Sequence, residues 1–331
     1  MVNAVPMAGL WRGGMLESTH LGHAVICDAA GEIVEAWGNP DRVIFPRSSC
    51  KMLQALPLVE SGAADAAGLT EAQLALSCAS HQGAALHVTA VRDWLETLGL
   101  AETDLRCGAH EPYDRTERNR LIKTDDSPCQ FHNNCSGKHA GMLTWTRHAK
   151  AGPEYVEPDH PLQRAIREAF EATTGAPSPG FGIDGCSAPN FACTVAGLGR
   201  AMAYFAAAPA DGSARDRAAH RLTRAMAAFP EMVAGEGRAC TILMREMGGR
   251  VAIKTGAEAV FVAIVPEKRL GIALKIEDGN SRASEAAIAA LLHHVGVLSE
   301  TAARRYTAAA QINCRGLHAA EMRLAPGFPA A

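Results

Sequence analysis

The stretch "VAIKTGAEAVFVAIVPEKRLGIALKIEDG" at residues 251–279 decides the fold. It reads as three short β-strands, the last two joined across Pro266-Glu267-Lys268-Arg269. A matching signal lies at the other end of the chain, in "GHAVICDAAGEIVEAWGN" (22–39), where two β-branched runs flank Ala-Ala-Gly as in a hairpin. An isolated hairpin is marginal in water, so strands at both ends predict one antiparallel sheet. In the interval, apolar residues recur at three- and four-residue spacing over 48–60, 71–79, 84–98, 136–149, 160–174, 190–206 and 214–228, and "SRASEAAIAALLHHVGVL" (281–298) reads as a closing helix. The expectation is an α+β chain forming a single unit over 1–331, with flanking helices. Its sheet layer comes from about 15–45 and 245–331, with an inserted helical region over about 46–244. The Ala-rich tracts at 201–219 and 301–310 read as helix or exposed turns, and "QINCRGLHAAEMRLAP" (311–326) as an added strand or a surface segment.

Composition narrows the function. The chain has 331 residues, 48% of them hydrophobic, enough to bury a large core. With 32 basic against 35 acidic residues and no Lys/Arg run, nucleic acid is excluded as the expected partner. No signal-peptide pattern opens the sequence and no membrane-length apolar run follows, so the expectation is a cytoplasmic protein with no membrane partner. Ten cysteines lack the regular dense spacing of a disulfide scaffold and are expected as thiols.

Chemistry enters with "FPRSSCK" (45–51). Ser48 and Lys51 stand three apart at the start of a helix and share a face, and a Lys51 held neutral there would serve as base toward the Ser48 hydroxyl. One Ser-x-x-Lys arises by chance in about every chain of this length, so its company matters. Lys254-Thr255-Gly256 lies on a late predicted strand, as in the Ser-x-x-Lys hydrolases. Ser80, in "SCASHQG" (77–83), follows a helical run in a turn, where a helix-terminal serine is the plain alternative.

The remaining cluster is "HNNCSGKHAG" (132–141) with "GIDGCSAPN" (182–190). Cys135 and Cys186 suit zinc, and on chemistry alone His139 is the better third ligand, since Lys138 must first lose a proton. Two buried thiols beside a surface lysine would account for the same residues.

Taken together, "RSSCKMLQALP", "LSCASHQG", "HNNCSGKHAGML", "GIDGCSAPN", "GEGR" and "KTGAEAVF" closely resemble the Rhizobium etli-type, or class 3, L-asparaginases, from residue 47 to about 262. The resemblance implies a serine β-lactamase-like fold, as in bacterial glutaminases, and hydrolysis of L-asparagine by a homodimer. It implies two Ser-Lys pairs, Ser48 with Lys51 and Ser80 with Lys254. It places Zn2+ on Cys135, Lys138 and Cys186 with water completing the shell, and makes His139 a neighbour that touches substrate. Within the same motifs Asp184 can answer the substrate ammonium and Arg47 its carboxylate. The alternatives are a glutaminase or other small-amide hydrolase, a β-lactamase-like serine hydrolase, a plain zinc hydrolase and a zinc-bearing binding module. The β-lactamase alternative is weakened because Ser80-His81-Gln82 stands where those enzymes carry Ser-Asp-Asn.

Overall fold

The strands of the computed structural model, which describes residues 3–330, are β1 (Val5–Arg12), β2 (Met15–Cys27), β3 (Ile33–Trp37), β4 (Val43–Ile44), β5 (Phe181–Ile183), β6 (Pro189–Phe191), β7 (Cys193–Thr194), β8 (Ala252–Gly256), β9 (Val260–Val265), β10 (Leu270–Ile276), β11 (Ala310–Ile312) and β12 (His318–Leu324). They belong to two compact units. The first holds the chain up to Ser49, Cys193–Ala207 and the chain from Leu243 onward; the second holds Cys50–Ala192 and Ala208–Ile242.

In the first unit one antiparallel sheet runs β11-β12-β1-β2-β10-β9-β8, with β3 also paired to β2. Strands from the two ends of the chain interleave, because β2 pairs with β10 from Gly22↔Ile276 to Cys27↔Gly271. The sheet is α+β in class and joins N- and C-terminal strands, as the two terminal strand signals predict. Every residue of β9, "VFVAIV", is buried, and a strand apolar on both faces needs cover on both. Helices Val195–Ala207 and Ser281–His294 both pack against β9 and β10. The first comes very close: a Cβ on Gly271 would lie 2.4 Å from Gly199 O, so β10 admits only glycine there.

The sequence reading places β1 outside the sheet and Val195–Ala207 in the helical interval. In the structure β1 pairs with both β2 and β12. Its four central residues, Met7 to Leu10, are all buried, so the period-2 alternation that reveals a half-buried strand is missing. The 195–207 helix is apolar nearly all round, which fits a helix laid on a sheet and gives no clue to its unit.

The second unit is mainly helical. Thr70 starts helix Glu71–Ser77 with a capping box: its hydroxyl accepts from Gln73 N–H at 3.3 Å and its own N–H donates to Gln73 Oε1 at 2.9 Å. Helix Ser136–His148 is buried along its first nine residues, and Gly137 lets it approach Leu76, whose carbonyl would sit 2.5 Å from any Cβ there. That crossing fixes the segment after Ser77 beside the start of the 136–148 helix. No helix among the described residues is long and apolar enough to cross a membrane.

Candidate active site

Ser48 stands in the 3-10 helix Arg47–Cys50, next to the last residue of the first unit's N-terminal segment. Arg47 enters it at φ 54°, a left-handed conformation that costs a non-glycine residue about 1–3 kcal/mol. Pro46 O holds the turn by accepting from Ser49 N–H at 3.2 Å and Ser49 Oγ at 2.7 Å. The end of β8 lies against this turn. A Cβ on Gly256 would fall 2.5 Å from Pro46 O and 3.0 Å from Ser49 N. The fold therefore brings the Lys254-Thr255-Gly256 strand to the turn of Ser48. Lys254 is buried and its Nζ donates to Thr255 O at 2.8 Å.

In the second unit Lys51 opens helix Lys51–Gln54 and is 1% exposed. Its Nζ donates to Ala79 O at 2.5 Å, Ser80 Oγ at 2.9 Å and Cys135 Sγ at 3.1 Å. Among the described residues no carboxylate is one of its partners. The Ser80 loop is fixed on either side: Ser80 N–H donates to Val233 O at 2.9 Å and His81 N–H to Asn134 O at 3.1 Å. His81 Nε2 meets Ser136 Oγ at 3.0 Å, while its Nδ1 accepts from Gly83 N–H at 3.1 Å. Burial, then the neighbouring His87 and Lys51, keep His81 well below the usual imidazole range, so it serves here as a neutral tie.

The thiols lie in the same unit. Cys135 caps the 136–148 helix, its N–H donating to Asn133 Oδ1 at 2.9 Å. Cys186 sits in the loop joining β5 and β6, closed by Ser187 N–H to Asp184 O at 2.8 Å and Asp184 N–H to Ala188 O at 3.0 Å. Lys138, one turn into the helix, donates from Nζ to Cys186 Sγ at 3.1 Å. Cys135, Lys138, Cys186 and His139 are all buried. A hydrogen bond from Cys135 holds the Cys186 thiol well below the ordinary range, against burial and with help from Lys138; the same bond, with burial, pushes Cys135 up. Burial pulls Lys138 down, but the Cys186 and Cys135 sulfurs outweigh it and raise the amine above its usual value. Asp184 is half-buried and adds to the negative field at Lys138.

His139 Nδ1 lies 2.8 Å from Tyr155 Oη, which also accepts from Arg106 N–H at 2.8 Å. The Tyr155 hydroxyl hydrogen then goes to Nδ1, and the imidazole proton is assigned to Nε2. That Nε2 is buried without a hydrogen-bond partner. Burial lowers His139, with Cys186 opposing. Tyr155 escapes a reading of the sequence because it is a single residue whose partner comes from another segment, and the tie that His81 makes to Ser136 escapes it for the same reason. Among the described residues no three His, Cys, Asp or Glu side chains cluster as a metal site, whereas the expected set includes a lysine.

No curated protein matches the chain in sequence. Solved structures do match. Mglu in its native form is 14% identical over 83% of this chain and 64% of its own, at a TM-score of 0.48. Mglu in its tris and glutamate form is 13% identical over 90% of this chain and 63% of its own, at 0.49. A β-lactamase from Mycobacterium bovis is 12% identical over 80% of this chain and 89% of its own, at 0.44. The chain spans less than two thirds of the length of these Mglu chains. The family model for L-asparaginase II matches residues 8–324, nearly the whole sequence, and the chain belongs to the L-asparaginase II family.

Proposed function

We propose that the chain hydrolyses L-asparagine to L-aspartate and ammonia, with Ser48 as nucleophile and Lys51, Ser80 and Lys254 as proton carriers. Family membership supports the substrate. The single observation that carries the mechanism is Lys51: a buried amine, bonded to the Ser80 hydroxyl at 2.9 Å and, among the described residues, to no carboxylate. Such an amine is placed for proton transfer and not for a structural ion pair.

Ser48 Oγ attacks the side-chain amide carbon once Lys51 is in its neutral form, and the serine proton passes to the lone pair of that amine. The tetrahedral centre collapses as ammonia departs with a proton relayed by Ser80 and Lys254, leaving an aspartyl ester on Ser48. Water then releases aspartate and restores the hydroxyl. Arg47 answers the substrate carboxylate, Asp184 its ammonium, and the Nε2–H of His139 donates to substrate oxygen.

The donor set of Cys135, Lys138 and Cys186 fits zinc: two soft sulfurs, one of them already favouring the thiolate, and an amine bonded to that sulfur. Bound Zn2+ would supply a fixed positive charge beside the substrate. Lys138 must lose its proton to join the set. A homodimer belongs to the same reading and rests on the resemblance.

The test is ammonia release from L-asparagine and L-glutamine by the purified protein. Release from asparagine is expected; no release from either amide overturns the reading, and release from glutamine alone reassigns the substrate.

A further inference from the structure

A nucleophile–base–carboxylate arrangement is built from residues that the proposed reaction does not use. Cys129 Sγ is 3.2 Å from His132 Nδ1, and His132 Nε2 is 3.3 Å from Glu117 Oε1. Arg120 fixes that oxygen from Nε at 3.0 Å and Nη2 at 2.8 Å. The imidazole is held at both nitrogens: Nδ1 also accepts from Cys129 N–H at 3.1 Å, which puts its own hydrogen on Nε2 toward the carboxylate. His132 and Glu117 are buried while Cys129 is partly exposed, so the base and its orienting group are protected and the sulfur is reachable by a small reagent.

We propose that Cys129 is a modification site, an activated thiol that hydroperoxides oxidise to a sulfenic acid. The acceptor geometry is that of an activated thiol, with a base on the sulfur and a carboxylate on the base. His132 Nδ1 takes the thiol proton. The sulfur then attacks one peroxide oxygen, an S–O bond forms as the O–O bond breaks, and sulfur is oxidised as peroxide is reduced. The departing hydroxide takes the proton from His132 and leaves as water. The hydrogen bond with Cys129 raises His132 above the ordinary imidazole range, with burial opposing and Glu117 adding to the rise, consistent with an imidazole that accepts this proton. No feature of the asparaginase mechanism uses these three residues.

Cys314 provides an internal comparison, being exposed and, among the described residues, without a hydrogen-bonded base. If exposure alone governed oxidation, Cys314 would react first. The experiment treats the full chain with limiting hydrogen peroxide, traps sulfenic acid with dimedone and reads each cysteine peptide by mass spectrometry. Cys129 is expected to label about tenfold faster than Cys314, and His132→Asn to bring it within about twofold of Cys314. Thermal melts establish that the variant is folded, and Glu117→Gln should give an intermediate rate. Cys314 labelling as fast as Cys129 in the wild type overturns the proposal by itself, as does an unchanged Cys129 rate in folded His132→Asn. Should that variant fail to fold, the wild-type comparison still decides.

Discussion

Lys51 sets the terms at the scale of the residue. A buried amine is costly unless its hydrogens are accepted, and here three acceptors meet it: Ala79 O, Ser80 Oγ and Cys135 Sγ. Replacement by methionine keeps the stem and removes the proton carrier. Lys51→Met should therefore lower asparagine turnover by about 10²–10⁴-fold with circular dichroism unchanged, and turnover within a few-fold of wild type would remove Lys51 from the mechanism. The Arg120 hydrogen bond holds Glu117 below the usual carboxylate range. A depressed carboxylate contributes stability above its unfolded pKa and loses it as pH falls through the folded value. Arg120→Ala should thus lower the melting temperature at pH 7 and have a smaller effect as the pH is taken down into the acid range; an equal loss throughout would show that packing, not charge, is what Arg120 supplies. The site residues were legible in the sequence where they stand in dense short motifs, as Ser48, Lys51 and the Cys135-Lys138-His139 run do. The link from Lys51 to both Ser80 and Cys135 was not, since it joins groups that sequence reading assigns to separate pairs. Only folding brings residues so distant along the chain to one nitrogen.

Two glycines carry the argument at the scale of the element. Gly271 lets helix Val195–Ala207 lie on β10, and Gly256 lets the end of β8 reach the Pro46–Ser49 turn. Gly271→Ala should cost about 1–3 kcal/mol or more by forcing the helix away, measured by urea unfolding. Gly256→Ala presses on the turn of Ser48, so asparagine turnover should fall by about tenfold or more while the unfolding midpoint moves little. A Gly256→Ala protein with normal turnover would mean that the β8 contact does not set the position of Ser48. The strands at 22–39 and 251–276 and most helices were legible because their periodicity is strong and their breaks carry Gly or Pro. The charged helix Arg115–Thr124 was not, since only Glu117 and Leu121 of it are buried and it shows no apolar stripe. The tail resolved to β11 and β12, the first of the two alternatives that its short mixed runs left open.

At the scale of the whole molecule, Arg47, Ser48 and Lys254 belong to the first unit, and Lys51, Ser80, His139, Asp184 and the thiol cluster to the second. Cys135→Ser or Cys186→Ser should remove most of the zinc bound per chain, and zinc content of the wild type should fall as pH drops, because the raised Lys138 amine holds its proton more firmly than a free lysine. Zinc is measured by elemental analysis; stoichiometric metal in both serine variants would end the assignment. The central claim is that Ser48 forms a covalent bond to substrate, and it is tested by acid-quenching the protein during asparagine turnover and sequencing its peptides by mass spectrometry. The account predicts an aspartyl ester on the peptide containing Ser48, at Ser48 itself, and none in Ser48→Ala, which should be folded and release no ammonia. An aspartyl ester on Ser80 or on a cysteine, or ammonia release that survives in Ser48→Ala, would contradict it.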